Sequence, residues 1–280
     1  MVYFSALSST CSDLDDIPSP VTFKKPPSLE HFHNIPKLTG IIPASRIEVH
    51  SPEMVSSGIR ELDFLAGGLP RGGLTEVYGP ASSGRTSMLL AALAASTKRD
   101  EICALVDVND AFDPISAQEA EVNFEKLLWV RCGRSPQKKF SAPSNRRREC
   151  PVEQALRVTD LLLQSGGFGL VIIDLGDVAV KLIRRIPLTS WFRFRRAVEN
   201  TPTVLFVIAS VACAPACASL LLNVKGSGKK PSAISSQPSV PTHSLLWDGQ
   251  RIEIEVIRSR MGRKPMQSVT GFATRAVRAG

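Results

Sequence analysis

The stretch from Gly79 to Ser87, "GPASSGRTS", restricts the possible folds of this chain more than any other. It stands between a predicted strand, "LTEVYG", and a predicted helix, "RTSMLLAALAASTKR". Its spacing matches a phosphate-binding loop, except that arginine replaces the usual lysine at position 85. Backbone N–H groups and the helix N-terminus attract phosphate whichever residue stands there. An ordinary glycine-rich turn is the alternative. The predicted nucleotide contacts in the loop are Gly79, Ser83, Gly84, Arg85, Thr86 and Ser87.

Strands and helices are predicted to alternate after this loop. The apolar runs "EICALVDV", "LLWVRC", "FGLVIIDLG" and "TVLFVIAS" are typical of buried strands, and helical patterns separate them. Such alternation predicts an α/β fold with a mostly parallel sheet flanked by helices. Near the C-terminus, "HSLLWDGQRIEIEVIRSR" predicts a β-hairpin with its turn at Asp248 and Gly249.

One charge-free run, within Asn200–Val224, is long enough to cross a bilayer. Pro202 and Pro215 interrupt it, and its first half is rich in β-branched residues. That composition favours a buried parallel strand over a membrane span. We therefore expect no membrane contact.

Changes in composition divide the chain into an arm, a core and a tail. Residues 1–50 are rich in serine, proline and charge, which predicts a flexible N-terminal arm. Residues 51–265 hold the periodic segments and predict the core, with surface loops at 133–150 and 223–243. Residues 266–280 are expected to form a C-terminal tail.

The net charge of +8 and the pI of about 9.4 suit a chain that contacts nucleic acid or an acidic partner. Aromatic residues make up only 6%, which argues against an aromatic-rich platform for stacking bases. The six cysteines show neither the CxxC spacing of zinc sites nor a disulfide framework. We therefore expect no structural metal and a cytoplasmic protein.

An acidic residue at the end of a buried strand is the second part of many nucleotide sites. Asp174 ends the run "LVIID" and could hold Mg²⁺ through water. The hydroxyl of Thr86 could reach the same ion. The sequence thus predicts a magnesium contact at Thr86 and Asp174 if ATP binds.

Two longer stretches resemble the bacterial RecA recombinase family. They are "SSGIRELDFLAGGLPRGGLTEVYGPASSGRTSMLLAALAA" and "CALVDVNDAFDP". The resemblance implies a RecA-like P-loop core that binds ATP with Mg²⁺. It also implies that Arg258 and Arg260 meet a phosphate on a neighbouring subunit, as in a RecA-like filament. The alternative for this pair is a solvated edge strand whose charges prevent aggregation.

Departures from the RecA pattern fall on working positions of the site. The resemblance places Asn109 where the family has the glutamate that activates water, and an amide cannot act as a general base. Ser210 stands where the family has a glutamine sensor. With Arg85, three parts have changed together, so we expect weak ATP binding, no efficient hydrolysis and no confident catalytic residue.

Three further stretches, "IDLGD", "RRIPLTSWFRFRRAVENTPT" and "EVIRSRMGRKP", resemble the ImuA-type RecA-like proteins of the bacterial mutasome. That resemblance implies an accessory role in translesion DNA synthesis within the SOS response. The implied partner is an error-prone polymerase or a polymerase-like adaptor, and the site of action is the nucleoid.

A run of basic residues near position 190 is predicted to contact DNA or a protein partner. Solvated helix faces are the alternative for the arginines, and the core is the alternative for the tryptophan. The predicted contacts are Arg184, Arg185, Trp191, Arg193, Arg195 and Arg196.

Three functions are therefore open. The first is an accessory protein of DNA-damage tolerance with a degenerate ATP site, which binds partner proteins and DNA. The second is a divergent recombinase with DNA-dependent ATP hydrolysis. The third is a pure protein scaffold whose nucleotide pocket is empty.

Overall fold

Long runs of buried β-branched and aliphatic residues build the central sheet. The computed structural model describes residues 51–132, 150–227, 249–260 and 268–275. Two short strands, β1 (Met54–Val55) and β2 (Leu69–Pro70), pair with each other beside the main sheet. The strands of the main sheet are Leu74–Tyr78 (β3), Cys103–Asp107 (β4), Leu127–Arg131 (β5), Leu170–Leu175 (β6), Val204–Ala209 (β7), Leu220–Ser227 (β8), Gly249–Ser259 (β9) and Val269–Arg275 (β10).

Helices connect most of the parallel strands. They are α1 (Arg60–Ala66), α2 (Arg85–Lys98), α3 (Pro114–Glu119), α4 (Pro151–Ser165), α5 (Val180–Ile183) and α6 (Leu188–Val198). Asp113 caps the N-terminus of α3, because its carboxylate accepts the backbone N–H groups of Ile115 and Ser116. Within the described ranges, no helix is both long enough and apolar enough to cross a membrane.

The main sheet has the strand order β10-β9-β8-β3-β7-β6-β4-β5 among the described residues. The strands from β8 to β5 in this order run parallel, and β9 runs antiparallel to both β8 and β10. The predicted α/β class, with a mostly parallel sheet and a C-terminal antiparallel hairpin, is therefore confirmed. We call the edge where β3, β7, β6 and β4 end the carboxyl edge, and the opposite edge the amino edge.

The details of the C-terminal part differ from the prediction. Gly249 is the first residue of β9 rather than part of a turn, and β9 pairs with β8 and β10. Residues 223–227, predicted as loop, continue β8, and residues 269–275, predicted as tail, form β10. The reason is tertiary, because residues 223–227 pair with β9 and residues 269–275 pair with the other side of β9. The predicted arm at 1–50, and most of the loop at 133–150, lie outside the described residues.

Two hydrophobic clusters lie on the two faces of the sheet. One joins α1, α2 and α3 to the sheet and includes Leu62, Met88 and Leu93. The other joins α4 and α6 to the opposite face and includes Trp191 and Phe194. Because both faces are covered, β7 is buried along its whole length, as predicted for "TVLFVIAS".

Candidate functional site

The phosphate-loop sequence forms the turn between β3 and α2 at the carboxyl edge. A Cβ atom on Gly79 would lie 2.2 Å from the carbonyl oxygen of Val224. Gly84 has a φ of 98° and a Cβ there would lie 2.2 Å from Cδ1 of Ile252. Neither glycine can therefore take a side chain without movement of its neighbours. The hydroxyl of Ser83 is buried and has no hydrogen-bond partner among the described residues.

Arg85 points inward from the first turn of α2. Only 7% of the residue is exposed, and its Nη1 donates to the carbonyl oxygen of Gly176 at 2.9 Å. A Cβ on Gly176 would lie 2.9 Å from Oδ1 of Asp174 and 3.3 Å from Nη1 of Arg85. The guanidinium and the carboxylate therefore flank the same glycine. The Arg85 side chain thus connects the start of α2, which follows β3, to the turn after β6 at the carboxyl edge.

Asp174, predicted as the magnesium contact, lies at the carboxyl edge near Arg85. Its Oδ1 accepts the backbone N–H of Gly176 at 2.8 Å. Burial raises the pKa of Asp174 to about 6 despite that hydrogen bond, and the charges of Asp107 and Asp177 act in the same direction. Arg85 has a smaller, opposing effect. The group is therefore mainly ionised at neutral pH.

Asn109 and Asp110 follow β4 at the same edge, and both are exposed. Asp110 forms an ion pair with Arg131 of β5, and this hydrogen-bonded partner lowers the pKa of Asp110. The carboxylate of Asp110 is therefore bound to the outer strand, β5.

Two buried carboxylates position this edge, and the sequence analysis missed both. Asp107 accepts the backbone N–H groups of Ala111 and Phe112, which fixes the turn that carries Asn109. The only signal in the sequence was an acid within a buried apolar run.

The second of these carboxylates belongs to Glu76 on β3. It accepts the backbone N–H groups of Cys213 and Ala214. Burial raises the pKa of Glu76, while the two backbone donors lower it. Glu76 thus ties the strand before the phosphate loop to the chain that follows Ser210. The hydroxyl of Ser210 is itself buried, without a hydrogen-bond partner among the described residues.

Arg258 and Arg260 lie at the amino edge, away from the phosphate loop of their own chain. Ser259 pairs with Leu220 of β8, which in turn pairs with Thr75 of β3. Roughly 13 Å of extended strand separates Thr75 from Gly79 at the start of the loop. A nucleotide contact through this pair would therefore need the loop of a second copy.

The basic run near position 190 is divided between different surroundings. Trp191 is fully buried and packs edge-to-face on Phe194, so its prediction as a contact for DNA or a partner is wrong. The apolar spacing of α6 turns this ring toward the sheet. Arg193 forms an ion pair with Asp160 of α4 at 2.8 Å, and its guanidinium lies over Phe194.

The other arginines of this run are exposed or half-exposed. Arg184 and Arg185 follow α5, and Arg185 lines a groove of about 620 Å³ between α4 and α6, together with Arg193. Arg195 and Arg196 line a different groove, of about 420 Å³, at the end of α6. The exposed arginines predicted as one contact set therefore lie on at least two different surfaces.

The residues at the carboxyl edge fit a nucleotide phosphate. The loop has the glycines and the unpartnered Ser83 hydroxyl that such a group would satisfy, and Thr86 is exposed beside them. No group of three or more His, Cys, Asp or Glu side chains that could hold a metal occurs in the described part of the chain. A magnesium ion here would therefore rely on Thr86, Asp174 and the phosphate itself.

Comparison with known proteins shows the family of this chain. The RecA N-terminal domain family matches residues 39–184, just over half of the chain. The chain belongs to the RecA N-terminal domain family. The predicted membership of the RecA superfamily is thereby confirmed.

Individual RecA proteins match a shorter region. Protein RecA of Psychrobacter cryohalolentis is 40% identical over 124 residues, which cover 44% of this chain and 30% of that protein. Protein RecA of Psychrobacter arcticus is 39% identical over 124 residues, with the same coverage. Protein RecA of Nitrobacter winogradskyi is 40% identical over 124 residues. This RecA-family chain thus spans about 30% of the length of these relatives.

Proposed function

We propose that this RecA-like chain binds ATP with Mg²⁺ at the loop Gly79–Ser87 but hydrolyses it poorly, and acts as an accessory protein in bacterial DNA-damage tolerance. The observation that carries the proposal is the position of Arg85. Its guanidinium is held by the Gly176 carbonyl beside Asp174, at the place where the site would bind metal and phosphate.

Binding is the part of the activity that the residues support. The loop backbone, the Ser83 hydroxyl and the guanidinium of Arg85 would hold the phosphates. Thr86 and Asp174 would hold Mg²⁺, and the ion would neutralise charge on the phosphates. Arginine keeps the charge of lysine, but its planar fork is larger and its contacts have a different geometry.

Hydrolysis is the part that the residues do not support. Asn109 has no proton-accepting group to activate water. Asp110 is bound to Arg131, and the short side chain of Ser210 replaces the longer sensor. Because Asn109 and Asp110 follow β4 while Ser210 follows β7, a single compensating change could not restore both positions.

Nucleotide binding is tested by thermal unfolding of the purified chain with increasing Mg-ATP. A ligand that binds only the folded state raises the midpoint, and at 100 times its Kd it adds about 2.7 kcal/mol to stability. We expect a shift that Thr86→Ala reduces. Thr189→Ala, which removes an exposed hydroxyl on α6, is the matched control. Absence of any shift at saturating Mg-ATP would support the empty scaffold instead.

Hydrolysis is tested by ATPase assays with and without single-stranded DNA. We expect little turnover from the wild-type chain and a measurable gain in Arg85→Lys with Asn109→Glu. Clear DNA-stimulated turnover in the wild-type chain, lost in Thr86→Ala, would overturn the proposal and favour a divergent recombinase.

The translesion role rests on the likeness of "IDLGD" and "RRIPLTSWFRFRRAVENTPT" to ImuA-type proteins. We propose that the chain works on the nucleoid with an error-prone polymerase or a polymerase-like adaptor. A bacterial strain without the chain should lose damage-induced mutagenesis and keep homologous recombination. Loss of recombination as well would contradict an accessory role.

A further inference from the structure

A groove of about 620 Å³ lies between α4, the turn after α5 and the start of α6. Leu156 and Ile186 line it, and both are half-buried and pack against the hydrophobic cluster that contains Trp191. Leu182 stands in the wall and is 37% exposed. Because its apolar floor is continuous with the close-packed core, the groove keeps its shape without an occupant.

The α4 side of the groove repeats at helical spacing. Val152, Leu156 and Asp160 are four residues apart, so they form one stripe along the helix. At about 1.5 Å per residue, the stripe is about 12 Å long. Two turns of a second helix have about the same length, and an amphipathic helix presents apolar side chains at positions i, i+4 and i+7. The groove therefore fits a short helix with one apolar face.

The charges that line the groove leave its rim positive. Three arginines and two carboxylates belong to the lining, and both carboxylates bond within the chain. Glu153 accepts the backbone N–H of Cys150. Asp160 is ion-paired with Arg193. Arg185 is exposed, and no ion pair between described residues includes it. The groove therefore complements an apolar surface that carries an acidic residue.

We propose that this groove is the docking site for a short amphipathic helix of a partner protein. The apolar face of that helix contacts Leu156 and Leu182, and an acidic residue beside it pairs with Arg185. Buried apolar contacts supply the affinity, and the ion pair selects against neutral and basic segments. A flat lipid surface does not reach a concave floor, and an apolar floor has no donors for a phosphodiester. The inference rests on the proposed function only for the existence of a protein partner, and it assigns the surface and the chemistry of that contact.

The test is the selection of a phage-displayed library of random peptides, each of about 15 residues, on the full-length chain without nucleotide or DNA. Peptides that also bind the double variant Leu156→Glu with Leu182→Glu are removed first, because they bind elsewhere. We expect the enriched peptides to share apolar residues at positions i, i+4 and i+7, with at least one Asp or Glu beside them. If the double variant unfolds at lower urea than the wild type, Leu182→Glu alone, at the more exposed position, replaces it.

The individual contacts are tested with one enriched peptide, labelled with fluorescein and measured by anisotropy. Leu182→Glu and Arg185→Glu should each weaken its binding by about 10-fold or more, because each removes a central contact and adds a carboxylate that repels the peptide. Leu161→Glu makes the same change at an exposed leucine of α4 outside the lining. Arg196→Glu makes the same charge change at an exposed arginine of α6 that lines another groove. At physiological salt both controls should keep the affinity within about twofold, and Arg185→Lys should retain most of it.

No enrichment, enriched peptides without acidic residues, or an equal loss of affinity in Leu161→Glu and Leu182→Glu would overturn the proposal. Two other occupants of the groove would do the same. Phosphatidylglycerol vesicles that displace the peptide from the wild-type chain would assign the groove to lipid. A dimer that Leu182→Glu converts to a monomer in sedimentation would assign it to a second copy. Because the selection contains neither nucleotide nor damaged DNA, its failure leaves the Mg-ATP shift and the mutagenesis test unaffected, and failure of those tests leaves the peptide result unaffected.

Discussion

Replacement of Asp174 by asparagine should stabilise this protein at neutral pH. The pKa of Asp174 is raised from 3.8 to about 6, mainly by burial. A difference of about 2 pKa units corresponds to about 3 kcal/mol of cost for the ionised carboxylate. Between these two pKa values the folded state binds more protons than the unfolded state, so stability falls as pH rises through that window. Below the window the carboxyl is protonated in both states and the cost is absent.

Asparagine keeps an oxygen that can accept the Gly176 N–H but carries no charge. We therefore expect the free energy of unfolding of Asp174→Asn to exceed that of the wild type by up to about 3 kcal/mol at pH 8, less any lost attraction to Arg85. Near pH 4 the two free energies of unfolding should be similar. Urea unfolding at a series of pH values gives this difference, and other titrating groups cancel in it. Glu61→Gln, which makes the same change at an exposed position of α1 far from Asp174, should show little change. A stability difference that is independent of pH would contradict the burial cost assigned to the ionised Asp174 carboxylate.

Three further predictions follow from side-chain packing. Gly84→Ala should lower the free energy of unfolding by about 2–4 kcal/mol, because the new Cβ would clash with Ile252 and a φ of 98° is unfavourable for alanine. Chemical denaturation should show that the additional change Ile252→Ala recovers part of this loss. Trp191→Ala should cost about 3–5 kcal/mol, while Phe192→Ala should cost under about 1 kcal/mol; equal losses would contradict the burial of one ring and the exposure of the other. Glu76→Ala should leave the N–H groups of Cys213 and Ala214 without their acceptor, at about 1–3 kcal/mol each. Hydrogen exchange should accelerate most at those two amides, and equal acceleration throughout the chain would contradict this role.

Local signals in the sequence were enough for the parallel part of the fold and for the phosphate loop. The apolar runs that end at Asp107, Asp174 and Ala209 are buried on both faces, and such runs have few alternatives to a central parallel strand. The glycines of the loop were predicted from spacing alone. Glycine is required at these positions because a side chain on Gly79 or Gly84 would clash with Val224 or Ile252, which lie on strands far along the chain.

The phosphate-loop spacing and the alternation of strands and helices could be predicted from the amino acid sequence alone, because they depend on residue types and short spacings. The direction of Arg85 toward Gly176 and the burial of Trp191 became apparent in the tertiary structure. The same holds for the position of Arg258 and Arg260 at the edge opposite the loop. These facts depend on which distant strands become neighbours. Strand pairing is fixed by burial and backbone hydrogen bonds over the whole sheet, so no short stretch of sequence contains it.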